Sequence, residues 1–283
     1  MKRRYFSILA LTAMICGCFL LTSCLPERKV AQTFIQMPHS INLLVFPPEM
    51  VYKYNHKGEM VKGFDSLSDK QQDSALWVDS KYIQFLSDSI LLESYMNHFI
   101  DQLRALGFNV YLSDAIDSFL VAGPQSYQLE VSQIQLDEYL YPLRDEQPYE
   151  DTVYSKVFDL NAVDFSCWFD LCKAHTQKPK KTVLFSAHTA YDSFDGRFYL
   201  DPWVNTVHYK YSIDSLKVKD IYEMANYLGE KHAGYLYDYF LNQYVAKNLP
   251  QGEIIQYYYH YDLREKRIIP VEEDEMFEIL GTK

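Results

Sequence analysis

Cys167, Cys172 and His175 come nearest, by type and spacing, to a reactive or metal-binding centre, because thiolate sulfur and imidazole nitrogen are the usual ligands of zinc. The spacing decides against it. A structural zinc site takes four ligands, and no second pair stands near Cys172 and His175 in the sequence. Cys167 and Cys172 also differ in parity along one alternating segment, so on a single strand their side chains leave from opposite faces and do not bridge. Both are expected as buried free thiols. Asp192, Asp195 and Asp201 surround Gly196 with carboxylates that calcium would accept, but not in the order of an EF-hand, so a solvated loop is expected. His188, His208 and His260, or Asp164 and Asp170, would supply acid–base chemistry only if the fold gathered them. No phosphate-binding glycine loop, nucleophile elbow, His-Glu-x-x-His helix or Cys-x-x-Cys pair occurs. The chain is therefore expected not to be an enzyme, with no catalytic residue, no metal and no cofactor. A hydrolase with a dispersed site is the alternative in which those His and Asp residues converge.

Binding chemistry is better represented. The 283 residues include 25 Tyr and 3 Trp, concentrated in Tyr235 to Tyr239, Tyr257 to Tyr261 and Trp203 to Tyr211. Those runs put rings on both faces of their elements, so some rings must meet solvent. Tyr and Trp suit interfaces and sugar-stacking platforms because one end is apolar and the other forms hydrogen bonds. The plain alternative is that Tyr serves here as a strand and core residue. A formal net charge of −11 leaves no surface for neutralising phosphates, so no nucleic-acid partner is expected.

The elements that would position these side chains follow from periodicity. Ile41 to Phe46 is a short run apolar on both faces, stopped by Pro47-Pro48, and reads as a central strand. Ser89 to Leu106 carries apolar residues, Ile90 to Leu106, at helical spacing; Ser87, Asp88 or Ser89 is placed to cap it and Gly107 to end it. Phe108 to Leu112 follows as a strand, giving a β-α-β start. Tyr127-Leu129-Val131 and Ile134-Leu136 alternate on opposite parities, which predicts a bulge near Ser132. Val163 to Leu171 alternates cleanly and finds its hairpin partner in Val183 to Thr189. A second long helix is expected from about Asp220 to Leu249 and a hairpin from Tyr257 to Val271, before an acidic tail at Glu272 to Glu275. The fold class predicted is α+β: a mixed, mostly antiparallel sheet with two long helices packed on one face.

At the N-terminus, Lys2, Arg3 and Arg4 precede an uncharged apolar stretch from Phe6 to Leu21 that ends in Leu21-Thr22-Ser23-Cys24. A basic segment, an apolar segment and small residues before a cysteine resemble the signal peptide and lipobox of bacterial lipoproteins, of the Bacteroidetes kind. The resemblance implies cleavage before Cys24, acylation of its thiol, and a partner in the lipid bilayer. It divides the chain into a signal peptide at 1–23, a lipidated tether at 24–40 and one globular domain at 41–283 with insertions at about 49–88 and 191–216. Leu25-Pro26-Glu27-Arg28-Lys29 lacks both the Asp of inner-membrane retention and the acidic cluster of surface export, so the implied address is the outer membrane, periplasmic face. Five Asp-Ser/Thr-apolar triplets resemble the O-glycosylation sequon of Bacteroidetes and mark Ser66, Ser74, Ser89, Thr152 and Ser215 as acceptors; Asp-Ser is also ordinary capping and turn chemistry.

Leu43 to Pro48, Leu103 to Val110 and the order of elements after them resemble auxiliary lipoproteins of ABC-type transporters and α/β domains shaped like the TolB N-terminal domain. That resemblance implies a non-enzymatic binding or assembly role in envelope transport or biogenesis, with an envelope protein as partner. A glycan- or small-ligand-binding lipoprotein is the alternative. Cys24→Ala is expected to abolish incorporation of a labelled fatty acid, whereas Cys167→Ser and Cys172→Ser leave it intact; label persisting in the Cys24 variant would refute lipidation at this thiol.

Overall fold

In the computed structural model of the chain, which describes residues 26–37, 41–57, 64–68, 70–72, 74, 80–177, 180–271 and 276–282, the apolar run Asn42–Phe46 forms strand β1. It is apolar on both faces because it has a partner on each side. Strand β3, Asn109–Tyr111, and strand β4, Ser126–Tyr149, both pair with it in parallel. The chain leaves β1 at Pro47-Pro48, where two missing or displaced N–H groups break the ladder, and resumes beside β4 as strand β2, Val51–Asn55. Phe46 pairs with Glu130 and Val51 with Ile134, and between those points β4 carries its bulge, between Val131 and Gln133. The two interruptions face each other. The bulge expected near Ser132 is thus present, and it is matched by the proline break on the neighbouring strand.

Strand β5, Thr152–Lys173, runs antiparallel to β4, and strand β6, Lys181–Tyr191, antiparallel to β5. Strand β11, Glu278–Thr282, pairs antiparallel with β6 and completes a mixed sheet of order β11-β6-β5-β4-β1-β3, with β2 also on β4. Among the described residues it has seven strands, joined by three parallel and three antiparallel ladders.

The first long helix follows the expected register within a residue. Helix α2, Asp88–Ala105, which follows helix α1 at Pro26–Gln36, buries Leu91, Tyr95, Met96, Phe99 and Leu103. Its end is a Schellman motif: Gly107 at φ +92° donates to the Arg104 carbonyl and Phe108 to the Leu103 carbonyl, with Phe108 and Leu103 both buried. Two expectations fail. Ser87 is the N-cap but makes no side-chain cap hydrogen bond, its Oγ meeting Ser89 Oγ instead. Ile90 lies outside the buried stripe, 52% exposed. Tyr95 stacks on Phe165 of β5 at 5.9 Å and Phe99 sits 5.9 Å from Phe169. The second long helix, which we label α4 after a short α3 at Ile116–Leu120, spans Val218–Asn248. His232 on α4 is buried against Phe169, and its Nδ1 is hydrogen-bonded to the Tyr95 hydroxyl at 2.8 Å. Burial, then the charges of Lys231 and His188, hold this imidazole down at a pKa of about 3, so it is neutral. A Cβ at Gly229 would collide with the Tyr95 carbonyl, so the two helices touch backbone to backbone there.

Contacts divide the chain into two compact units. Residues 39–236 and 276–283 make the larger. The smaller comprises residues up to 38 with 237–275, and within it the segment expected as a tether folds as helix α1, Pro26–Gln36. Pro26 fits the first helical position, where no N–H is needed, and Glu27 suits the positive first turn. Phe34 packs edge-on to Tyr237, and buried Glu27 accepts the Tyr259 hydroxyl at 3.0 Å and the Gln256 N–H at 2.8 Å. The expected C-terminal hairpin is present as β9, Tyr258–Asp262, and β10, Arg267–Val271.

Phe99 is fully buried, so Phe99→Ala should cost about 3 to 5 kcal/mol. Chemical denaturation of the two proteins would measure it, and an unshifted midpoint would refute the packing of α2 described here.

Candidate functional site

Past Glu138, β4 and β5 outrun their neighbours. The β2 ladder stops at Glu138 and the β6 ladder at Ala162, while β4 and β5 continue paired to Tyr149 and Thr152. The result is a two-stranded ribbon of about 11 residues per strand, some 35 Å at the usual rise. Pro142 and Pro148 lie in this stretch of β4, where the outer edge has no partner to lose. The insertion expected at 191–216 is a second hairpin, β7, Ser193–Asp201, and β8, Thr206–Asp214.

Rings join the two hairpins. Phe158 of β5 lies 4.9 Å from Phe194, 5.7 Å from Tyr209 and 4.7 Å from Tyr211. Tyr154 meets Phe198, and the Tyr149 hydroxyl donates to the Phe198 carbonyl at 3.0 Å. Tyr209 donates to Asp145 at 2.6 Å; burial and then that carboxylate push its phenol far above its ordinary pKa. Gly196 makes this stacking possible, because a Cβ there would overlap the Tyr209 hydroxyl and the Phe194 ring. Beside the joint opens a cleft of about 680 Å³ lined by Tyr154, Phe158, Val207 and His208, among others. At the tip, Asp201 Oδ1 accepts the Trp203 N–H at 2.9 Å and Asn205 takes φ +48°, a turn that leaves Trp203 93% exposed with Val204 and Leu200 beside it.

At the root of the ribbon sits a buried carboxylate. Glu138 receives the ammonium of Lys57, the Ser80 hydroxyl at 2.8 Å, and the N–H groups of Lys81, Tyr82 and Ile83 at 2.7, 3.2 and 3.1 Å. Burial alone would raise its pKa; the Lys57 ammonium and these donors outweigh burial and hold it below the ordinary value. Asp192 is placed in the same manner. It accepts the Asn161 side chain at 2.6 Å and backbone N–H groups of Asn161 and Leu216 at 2.9 Å, with the Tyr82 hydroxyl at 3.3 Å. It is a buried cap where the hairpin leaves the sheet, not the solvated carboxylate expected beside Gly196. Asp195 and Asp201 are strand residues of β7.

The sequence candidates for acid–base chemistry do not form one site. His188 lies beside Tyr227, its pKa lowered by burial and then by Lys231, and His208 stacks on Tyr199. His260 Nδ1 meets buried Asp238 at 2.6 Å in the smaller unit, where burial raises Asp238 against the opposing pull of His260. Asp170 pairs with Lys181, and Asp164 accepts Tyr139 and Thr189 hydroxyls. His175 stacks on Phe119, and no group of three or more His, Cys, Asp or Glu side chains is placed to hold a metal among the described residues. Cys167 is a buried free thiol as expected; Cys172, on the other face, is only half-buried. Burial pushes both thiols up, Cys167 far above its ordinary value. Tyr235, Tyr237 and Tyr259 are core residues, so of the three tyrosine-rich runs only Trp203 to Tyr211 presents a large exposed surface.

Cys24 lies outside the described residues. Ser66, Ser74, Ser89, Thr152 and Ser215 are all exposed, Ser66 in a short turn, Ser74 bonded to the Lys70 carbonyl, and Thr152 at the ribbon tip. No described helix is long and apolar enough to cross a membrane. No protein-family profile, curated protein or solved structure matches the chain.

Because Glu138 is held below its ordinary pKa of 4.5, its contribution to stability is fully present above that value and is lost as pH falls through the depressed one. Glu138→Gln should therefore lower the denaturation midpoint near neutral pH and narrow its gap to the wild type below pH 4.5. A gap independent of pH would refute the charged state of the carboxylate.

Proposed function

We propose that this chain is a lipid-anchored envelope protein that binds a protein partner and performs no chemistry, held through acylated Cys24 on the periplasmic face of the outer membrane. The N-terminal pattern ending at Cys24 supports the anchor and address. The fold reading belongs with it: two long helices on one face of the sheet, supported by Phe169 meeting both Phe99 of α2 and His232 of α4. That arrangement leaves the ribbon and its hairpin as a projecting element.

The observation that carries the reading is the tip of the second hairpin, β7–β8. A nearly fully exposed Trp203 leaves a large apolar surface that a partner could remove from water, and here an Asx turn and a ring-filled stem hold it in one place. Preorganised tryptophans flanked by aliphatic residues are the usual energetic centres of protein interfaces. Asp201, Glu150 and Asp151 near the two turns make an anionic membrane surface a poor match. We propose the five exposed hydroxyls at Ser66, Ser74, Ser89, Thr152 and Ser215 as sugar acceptors on the same reading of the compartment.

A photo-crosslinking amino acid at position 203, in the native envelope, should give one discrete protein adduct that the same probe at exposed position 121 does not. No protein adduct at 203, or the same adducts from both positions, would refute the arm as a partner-binding element.

A further inference from the structure

We propose that the face of the central sheet opposite Phe165 and Phe169 binds a neutral saccharide chain, on the rings of Tyr54 and Trp168 and the polar row of Gln133, Gln135, Asp137 and Asp164. This site is separate from the hairpin tip at Trp203. It uses none of the three tyrosine-rich runs that stand out in the sequence.

Parity assigns the face. Along β5, Phe165, Cys167 and Phe169 are buried on one face, while on the other Asp164 and Trp168 keep partial exposure and Ser166 between them is buried. Register then sets their neighbours: Tyr54, Asp137, Asp164 and Thr189 form one row across four strands, and Gln133, Trp168 and Phe185 another. Adjacent strands lie about 4.8 Å apart, so rings and polar groups recur at that interval across the sheet.

Two features of this face bear on what it could hold. First, Asp137 and Asp164 are direct cross-strand partners, and like charges in that relation destabilise a sheet. Each is supplied with dedicated hydrogen-bonding partners. His56 Nε2 at 3.0 Å and Gln135 Nε2 at 2.8 Å serve Asp137; the Tyr139 and Thr189 hydroxyls, at 3.0 and 2.6 Å, serve Oδ1 of Asp164. Second, the row is fixed but incompletely used. Gln133 donates to Gln135 at 2.8 Å, which orients both amides. Yet Oδ2 of Asp164, Oε1 of Gln133 and the indole N–H of Trp168 meet no side-chain or backbone partner among the described residues.

A ligand that satisfies this set must accept from an indole, donate to amide and carboxylate oxygens, and lay an apolar face on Tyr54, which is 47% exposed, and on Trp168. Sugars do all three, since each ring carries a C–H face and hydroxyls that both donate and accept. The paired carboxylates repel a polyanion, which excludes sulfated or uronic-acid chains and nucleic acid. An extended peptide would seek a strand edge rather than this face.

Native gels containing glycogen, mixed-linkage β-glucan or galactomannan, with heparin and polygalacturonate as anionic controls, test the proposal on the detergent-solubilised full chain. At least one neutral polymer should retard the protein, and Gln135→Ala and Tyr54→Ala should each weaken that retardation by about tenfold, equivalent to about 1.4 kcal/mol. Val121→Ser, far from the row in sequence and exposed, should behave as wild type. Unchanged melting temperatures show that the variants are folded; Tyr54 is exposed enough to be replaced without loss of core. Absence of retardation by all three neutral polymers, equal retardation of both variants and wild type, or stronger retardation by the polyanions would overturn it. Each of those outcomes leaves the crosslinking result at position 203 untouched, so the two readings fail separately.

Discussion

One buried carboxylate fixes the geometry on which the larger unit depends. Glu138 stands where the sheet ends and the ribbon begins, and its five donors come from the two ends of a single excursion, Lys57 on one side and Ser80 to Ile83 on the other. A charged group with no solvent contact is tolerated only when its lone pairs are filled, and here the backbone of Lys81, Tyr82 and Ile83 fills them together with a cation. The excursion is thereby closed regardless of what its intervening residues do. The same contacts bring Tyr82 to Asp192, and Asp192 in turn anchors both Asn161 and Leu216. From one residue of β4, a chain of buried polar contacts therefore reaches the entry and exit of the second hairpin.

The parts of this fold that were legible in the sequence are those with a local signature. The parity switch between Val131 and Ile134 marked the bulge, Gly107 before Phe108 marked the Schellman end of α2, and the alternation from Val163 to Leu171 marked the central strand. The ribbon was not legible. Pro142, Pro148 and the charged run Arg144-Asp145-Glu146 lack the apolar alternation that marks a strand with two partners, and this stretch of β4 has one. Helix α1 escaped for a similar reason: Pro26 and mixed polar residues suggest a tether until Ala31 and Phe34 are seen to be buried.

The candidate binding residues divide the same way. Asp164 and Trp168 were visible as the polar side of an alternating strand, and Trp203 as part of an aromatic run. Asp137, Gln133 and His56 carried no signal, since what makes them a site is cross-strand register, which couples residues 81 apart in the chain in the case of His56 and Asp137. The tyrosines at 235–239 and 257–261 gave the opposite error. Tyrosine is large enough to fill a core and needs only one buried acceptor, which Glu27 supplies to Tyr259.

The edge strand β11 has a consequence for how the molecule is made. It pairs with β6, yet it is separated from β6 in the chain by the whole of the second hairpin, α4 and the β9–β10 hairpin. The smaller unit is likewise assembled from residues before 39 and after 236. Neither unit can therefore complete its contacts on a chain still emerging from the ribosome, and until β11 docks, β6 presents an open edge able to pair with another molecule. A chain with this connectivity reaches its full set of contacts only once its last residues are free to return to the sheet.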